Sequence, residues 1–84
     1  MVTDKRMKEL KNDVRYWKCE LETLREERQR LLLDQSVGRT DIDASGIDRL
    51  PEKIDKVDGA VLRHQRGLLI AEDRLGRARN GEDV

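Results

Sequence analysis

The sequence predicts an all-α fold, an antiparallel two-helix coiled-coil hairpin that dimerises into a four-helix bundle. Two apolar series carry the prediction. In the first, Met7, Leu10, Val14, Trp17, Leu21, Leu24 and Leu31 step by three and four, with Arg28 interrupting the repeat. In the second, Leu50, Ile54, Val57, Val61, His64, Leu68, Ala71, Leu75 and Ala78 do the same. A stripe this narrow cannot bury itself and needs a partner helix along its whole length. Two such stripes of similar length, joined by a polar stretch of about a dozen residues, fold back on one another.

The single domain spans residues 1–84: a helix over 4–35, a loop over 36–47, a second helix over 48–79 and a frayed tail over 80–84. Thr3 or Asp4 is the natural N-cap of the first helix. Nothing inside that helix breaks it, because it holds no Gly or Pro and is rich in Glu, Lys, Arg and Leu, which lose little rotamer freedom there. The pattern dissolves in SVGRTDIDAS, where Gly38 can end the helix in a left-handed cap. With Asp48 as N-cap, Pro51 falls in the first turn of the second helix, where its missing N–H and fixed φ are harmless.

Composition agrees with a hairpin. Charged residues make up 43% of the chain and aromatics 2%, too little bulky apolar material for a core of several layers. Disorder is the other outcome of such a composition, and the strict apolar period argues against it. Eighteen basic and 18 acidic side chains give a net charge of zero, which argues against a dedicated nucleic-acid coat. The charge is nonetheless uneven: residues 1–18 and 59–79 are each net basic by three, and residues 34–58 are net acidic by three. Folding back therefore makes the termini basic and the turn acidic. A lone cysteine, Cys19, points to a reducing cytoplasm. No apolar run suggests a membrane span or a signal peptide.

Setting Leu31 near Leu50 pairs Leu24 with Val57, Leu21 with Val61, Trp17 with His64, Val14 with Leu68, Leu10 with Ala71 and Met7 with Leu75, and places Arg28 opposite Ile54. Gly59, Gly67 and Gly76 lie within the second helix, each about 1 kcal/mol less favourable there than Ala. Gly67, beside the seam near Trp17, either makes room for the indole or is simply tolerated. Leu62, Leu69 and Ile70 fall outside the second seam, and Leu32 and Leu33 extend the first. This surplus is a candidate partner-binding surface for a second copy or for another protein.

Candidate chemistry is sparse. His64 on a seam position reads as a histidine stacked on Trp17, or as a pH-sensitive spot in the interface. Arg28 on a seam position reads as a charge that reaches the edge and sets register. Cys19 falls on the outward face of the first helix. One Cys and one His far apart do not make a metal site. The acids Asp41, Asp43 and Asp48 lack the spacing of a calcium loop and read as solvated loop acids. No phosphate-binding glycine loop is present, no cofactor is implied, and the chain is not expected to be an enzyme. Lys5, Lys8, Arg74, Arg77 and Arg79 gather at the basic end, where they could contact nucleic acid, without aromatic residues interleaved for base stacking.

The run YWKCELETLREERQRL, the polar loop with Ser and Gly, and GIDRLPEKIDKVDGAV together resemble the N-terminal coiled-coil hairpin of phage transcriptional regulators of the RinA and ArpU type. The resemblance covers about residues 8–70 and lies in pattern. Those regulators carry a C-terminal helix-turn-helix similar to that of sigma factors, which this chain does not include, so the resemblance implies the interaction module alone. The expected function is a small non-enzymatic protein–protein interaction module, a phage or mobile-element regulator or inhibitor that docks on a host protein. The alternative is a nucleic-acid-associated regulator that uses the basic end.

Overall fold

A computed structural model of the chain describes residues 2–84 and consists of two helices, α1 over Asp4–Ser36 and α2 over Leu50–Arg79. They pack side by side in a rod of 59 × 20 × 16 Å. Its radius of gyration is 18.3 Å, against about 12 Å for a compact domain of this length. The elongation follows from composition, since there is apolar material for one seam and no second layer.

The α1 helix starts at the N-cap Thr3, whose side chain accepts a hydrogen bond from the Arg6 N–H at 3.1 Å. Both helices stop in the same way. The Gly38 N–H donates to Gln35 O and the Arg39 N–H to Asp34 O; at the end of α2 the Gly81 N–H donates to Ala78 O and the Glu82 N–H to Arg77 O. Gly38 and Gly81 have φ of 80° and 85°, the left-handed conformation this closing motif requires.

The core is the predicted seam. Leu10, Val14, Ala71, Leu75 and Ala78 form a buried cluster towards the termini, with Met7, Trp17 and Leu68 packed against it. Leu21, Leu50, Ile54 and Val57 are buried further towards the turn. Every buried side chain among the described residues is apolar. Trp17 and His64 meet edge to face with ring centroids 5.3 Å apart, the register that places these two residues opposite one another.

Three boundaries differ from the sequence expectation. The α1 helix extends to Ser36, whose hydroxyl donates to Leu33 O at 2.8 Å. The α2 helix begins at Leu50 rather than at 48, because the Asp48 carboxylate is shared. Its Oδ1 accepts from the Leu50 N–H at 3.0 Å and from the Asp41 N–H at 2.9 Å, so Asp48 caps the helix from within the loop and Arg49 becomes the half-helical residue. The tail, expected to fray, is folded back against the hairpin. After Gly81 the chain turns back, Arg6 Nε donates to Val84 O at 3.1 Å, and the half-buried Val84 packs on the terminal core cluster.

The loop is likewise ordered, and its acids are not merely solvated. Ile42 and Asp48 form an antiparallel bridge, with the Asp43 N–H donating to Ile47 O and the Arg49 N–H to Asp41 O. The Asp43 carboxylate sits at its centre and accepts from the Ser45 N–H at 2.8 Å, Ser45 Oγ at 2.5 Å, the Ile47 N–H at 3.2 Å and Arg49 Nε at 2.7 Å. These bonds, the Ser45 hydroxyl first and Arg49 next, lower its pKa to about 2. Asp41 pairs with Lys53, which ties the loop to the first turns of α2.

Candidate interaction surfaces

The surplus apolar residues divide by exposure. Leu62 and Leu69 are 65% and 68% exposed, Leu33 62% and Ile70 49%. Leu32 is half-buried and separate from the others. Leu62 and Leu69 are one heptad apart on α2, and helical spacing of 100° per residue places them with Ile70 about 110–150° round the helix from the local seam of Val61, His64 and Leu68. They therefore stand on the side of α2 turned away from α1. Leu69 and Ile70 line an open groove of about 660 Å³ with Arg66, Asp73, Arg74 and Arg77. Arg6 and Val84 close its end, which is why the folded-back tail matters to this surface.

The cations predicted at the basic end share that end but not one face. Arg74 and Arg77 border the groove beside Leu69 and Ile70, and Arg77 Nε pairs with Asp73 Oδ2 at 3.1 Å within α2. Arg79 lies in a different groove, and Lys5 and Lys8 are exposed and line neither. The second groove, about 450 Å³, brings Arg79 together with Lys11, Arg15 and Lys18, around Glu72 and Gly76. None of these four cations is in an ion pair among the described residues. Sequence reasoning passed over Lys11, Arg15 and Lys18, although their spacing of four and three is the period that aligns residues along one helix face.

The polar seam positions have definite partners. Arg28 forms an ion pair with Asp58, one turn along from Ile54, and both side chains stay nearly half exposed. It therefore leaves the seam for its edge. His64 Nδ1 donates to Ala60 O at 2.8 Å while the ring packs on Trp17. Gly67 lies against the same indole: a Cβ built there would come within 2.9 Å of Trp17 Cη2 and Cζ3. Cys19 is a free, exposed thiol on α1. Among the described residues no three His, Cys, Asp or Glu side chains are placed to hold a metal ion, and no helix is long and apolar enough to cross a membrane.

These features define an all-α helical hairpin whose distinguishing surfaces are the exposed Leu62, Leu69 and Ile70 of α2, beside a groove of mixed charged and apolar lining, and a mainly cationic groove between the helices. No protein-family model matches the chain, and no curated protein or solved structure is significantly similar to it.

Proposed function

We propose that the protein is a small, non-enzymatic protein–protein interaction module that works by docking the outer face of α2. The observation that carries this reading is the exposure of Leu62, Leu69 and Ile70 together on the helix side that water should face. A helix whose seam is already satisfied has no internal use for large apolar side chains there, and grouped exposure of this kind marks interaction surfaces. The resemblance to phage regulators adds a role as a cytoplasmic regulator or inhibitor. The test is affinity capture from host lysate with the native chain and with the Leu62→Ser, Leu69→Ser, Ile70→Ser variant. Partners held by the native chain and lost by the variant support the reading; the same partners on both overturn it.

A second reading, association with nucleic acid, is favoured by the cations Lys11, Arg15, Lys18 and Arg79, which line one groove and have no ion-pair partner among the described residues. Four phosphate contacts would make the logarithm of affinity for duplex DNA fall with the logarithm of salt at a slope of about −3 to −4. Measured by fluorescence anisotropy, that slope should flatten in the Lys11→Glu, Lys18→Glu variant. Absence of binding at low salt removes this reading and leaves the first untouched.

A further inference from the structure

We propose that the outer face of α2 is covered by a second copy of this chain lying antiparallel, so that four helices form a row in the order α1, α2, α2, α1. The proposal rests on the reading of that face as the docking surface and names its occupant.

Position on the helix is the first support. The midpoint between Leu62 and Leu69 falls at residues 65 and 66, close to the middle of a helix that spans Leu50–Arg79. An apolar patch centred on its helix meets itself when a second copy is laid antiparallel. Leu62 of each copy then faces Leu69 of the other, the self-complementary contact that two-fold symmetry demands. A patch near one end would meet a polar surface instead.

Charge selects the direction. Within α2, residues 50–58 are net acidic by one, with Glu52, Asp55 and Asp58 against Lys53 and Lys56, and residues 59–79 are net basic by three, so its two ends differ in sign. Asp55 lies two turns before Leu62 on the same face, and Arg77 lies two turns beyond Leu69. In an antiparallel pair Asp55 of one copy comes beside Arg77 of the other, twice; in a parallel pair each half meets its like. Asp55, Arg66 and Arg74 have no ion-pair partner among the described residues of a single chain.

The row rather than a square bundle follows from α1. In a square bundle every helix packs on two neighbours, yet the only large apolar side chains exposed on α1 are Tyr16 and Leu33. The α2 helix alone carries a second face. A strip about 45 Å long and about 10 Å wide covers about 900 Å² counted over both copies, below the usual 1,200 Å² or more of stable complexes. The dimer is therefore reversible and depends on concentration.

The test uses the whole chain in a Cys19→Ser background. Mild oxidation should link Arg66→Cys to itself, because residue 66 lies near the two-fold axis. Asp55→Cys and Arg77→Cys should each stay unlinked alone and link when mixed. In the native chain Cys19, on the outward side of α1, should remain unlinked and so reports random collision. Self-linking of Asp55→Cys and of Arg77→Cys would mean a parallel pair and overturn the proposal. So would a monomer by light scattering at high protein concentration. If that monomer still loses a captured protein on substitution of Leu62, Leu69 and Ile70, the docking reading stands and only the self-pairing falls.

Discussion

At the scale of single residues, Gly67 and Asp43 show how a neighbour decides what a residue is for. Three glycines lie within α2, and helix propensity alone says that each should improve on replacement by Ala by about 1 kcal/mol. Their surroundings separate them. A Cβ at Gly76 meets nothing within 4 Å, and at Gly59 only the tip of Arg63 at 3.4 Å, whereas at Gly67 it runs into the face of Trp17 at 2.9 Å. The indole is held by His64 and cannot swing away without opening the seam. Gly59→Ala and Gly76→Ala should each stabilise the hairpin by about 0.5–1 kcal/mol, while Gly67→Ala should destabilise it by about 1 kcal/mol as overpacking outweighs propensity. Urea denaturation followed by circular dichroism measures all three, and a Gly67→Ala protein more stable than the native one would remove the packing account.

Asp43 gives a pH dependence with a definite sign. Its folded pKa, about 2, lies below the value of about 4 in an unfolded chain. A lowered carboxylate pKa stabilises the folded loop above the unfolded value, and that stability disappears as pH falls through the folded one. The loop should therefore keep its order at neutral pH and lose it between about pH 4 and about pH 2. Asp48 and Glu52 are lowered too, Asp48 by the backbone N–H groups of Asp41 and Leu50 and Glu52 first by Arg49, so they act in the same direction. Carboxyl carbon NMR titration should place the Asp43 midpoint near 2, and a midpoint near 4 would mean that its hydrogen bonds do not persist in solution.

At the scale of elements, the two helices were legible because their apolar spacing is a direct image of the seam. The pairing of Trp17 with His64 and the left-handed cap at Gly38 follow from spacing and residue type. The loop over 36–47 and the tail over 80–84 follow from the sequence as segments, but the bonds that fold them do not, though signals for both exist. Asp43 and Ser45 two residues on, followed by Gly46, are the polar turn formers that bond their own backbone, and Asn80-Gly81 after a basic last turn is a helix stop. Seam periodicity is silent on such bonds, since they run from side chain to nearby backbone and leave no repeat. The split of the basic end was hidden for another reason: residues at one end of a rod can stand on different faces, and only helix rotation separates them.

Arg28 tests how far the seam tolerates an interruption. Its ion pair with Asp58 is nearly half exposed, and exposed pairs contribute about 0–1 kcal/mol. A leucine there would complete the series from Leu24 to Leu31 and add about 1–2 kcal/mol of apolar burial. Arg28→Leu should therefore raise the melting temperature by about 4–8 °C for about 1 kcal/mol gained. A fall would show that the ion pair contributes more than the missing apolar contact.

At the scale of the whole molecule, the decisive fact is that a rod with one buried seam leaves most of each helix in water. Among the described residues nine side chains make up the core, all along the seam between the two helices, so little apolar area opposes the chain entropy of 84 residues. Pairing through α2 would add a second line of contact, and its effect on stability is set by mass action, because only the folded hairpin presents Leu62 and Leu69 on one face. Raising the protein concentration about a hundred-fold above the dissociation constant then adds up to about 2.7 kcal/mol to the folded state. For a domain of this size that corresponds to a rise in melting temperature of about 11–22 °C. The Leu62→Ser, Leu69→Ser variant should melt at one temperature whatever its concentration, since its hairpin seam is intact and its outer face no longer pairs. Thermal melts of both proteins across that concentration range separate the two contributions, and a native protein whose melting temperature does not move with concentration would mean that the hairpin is stable by its own seam alone.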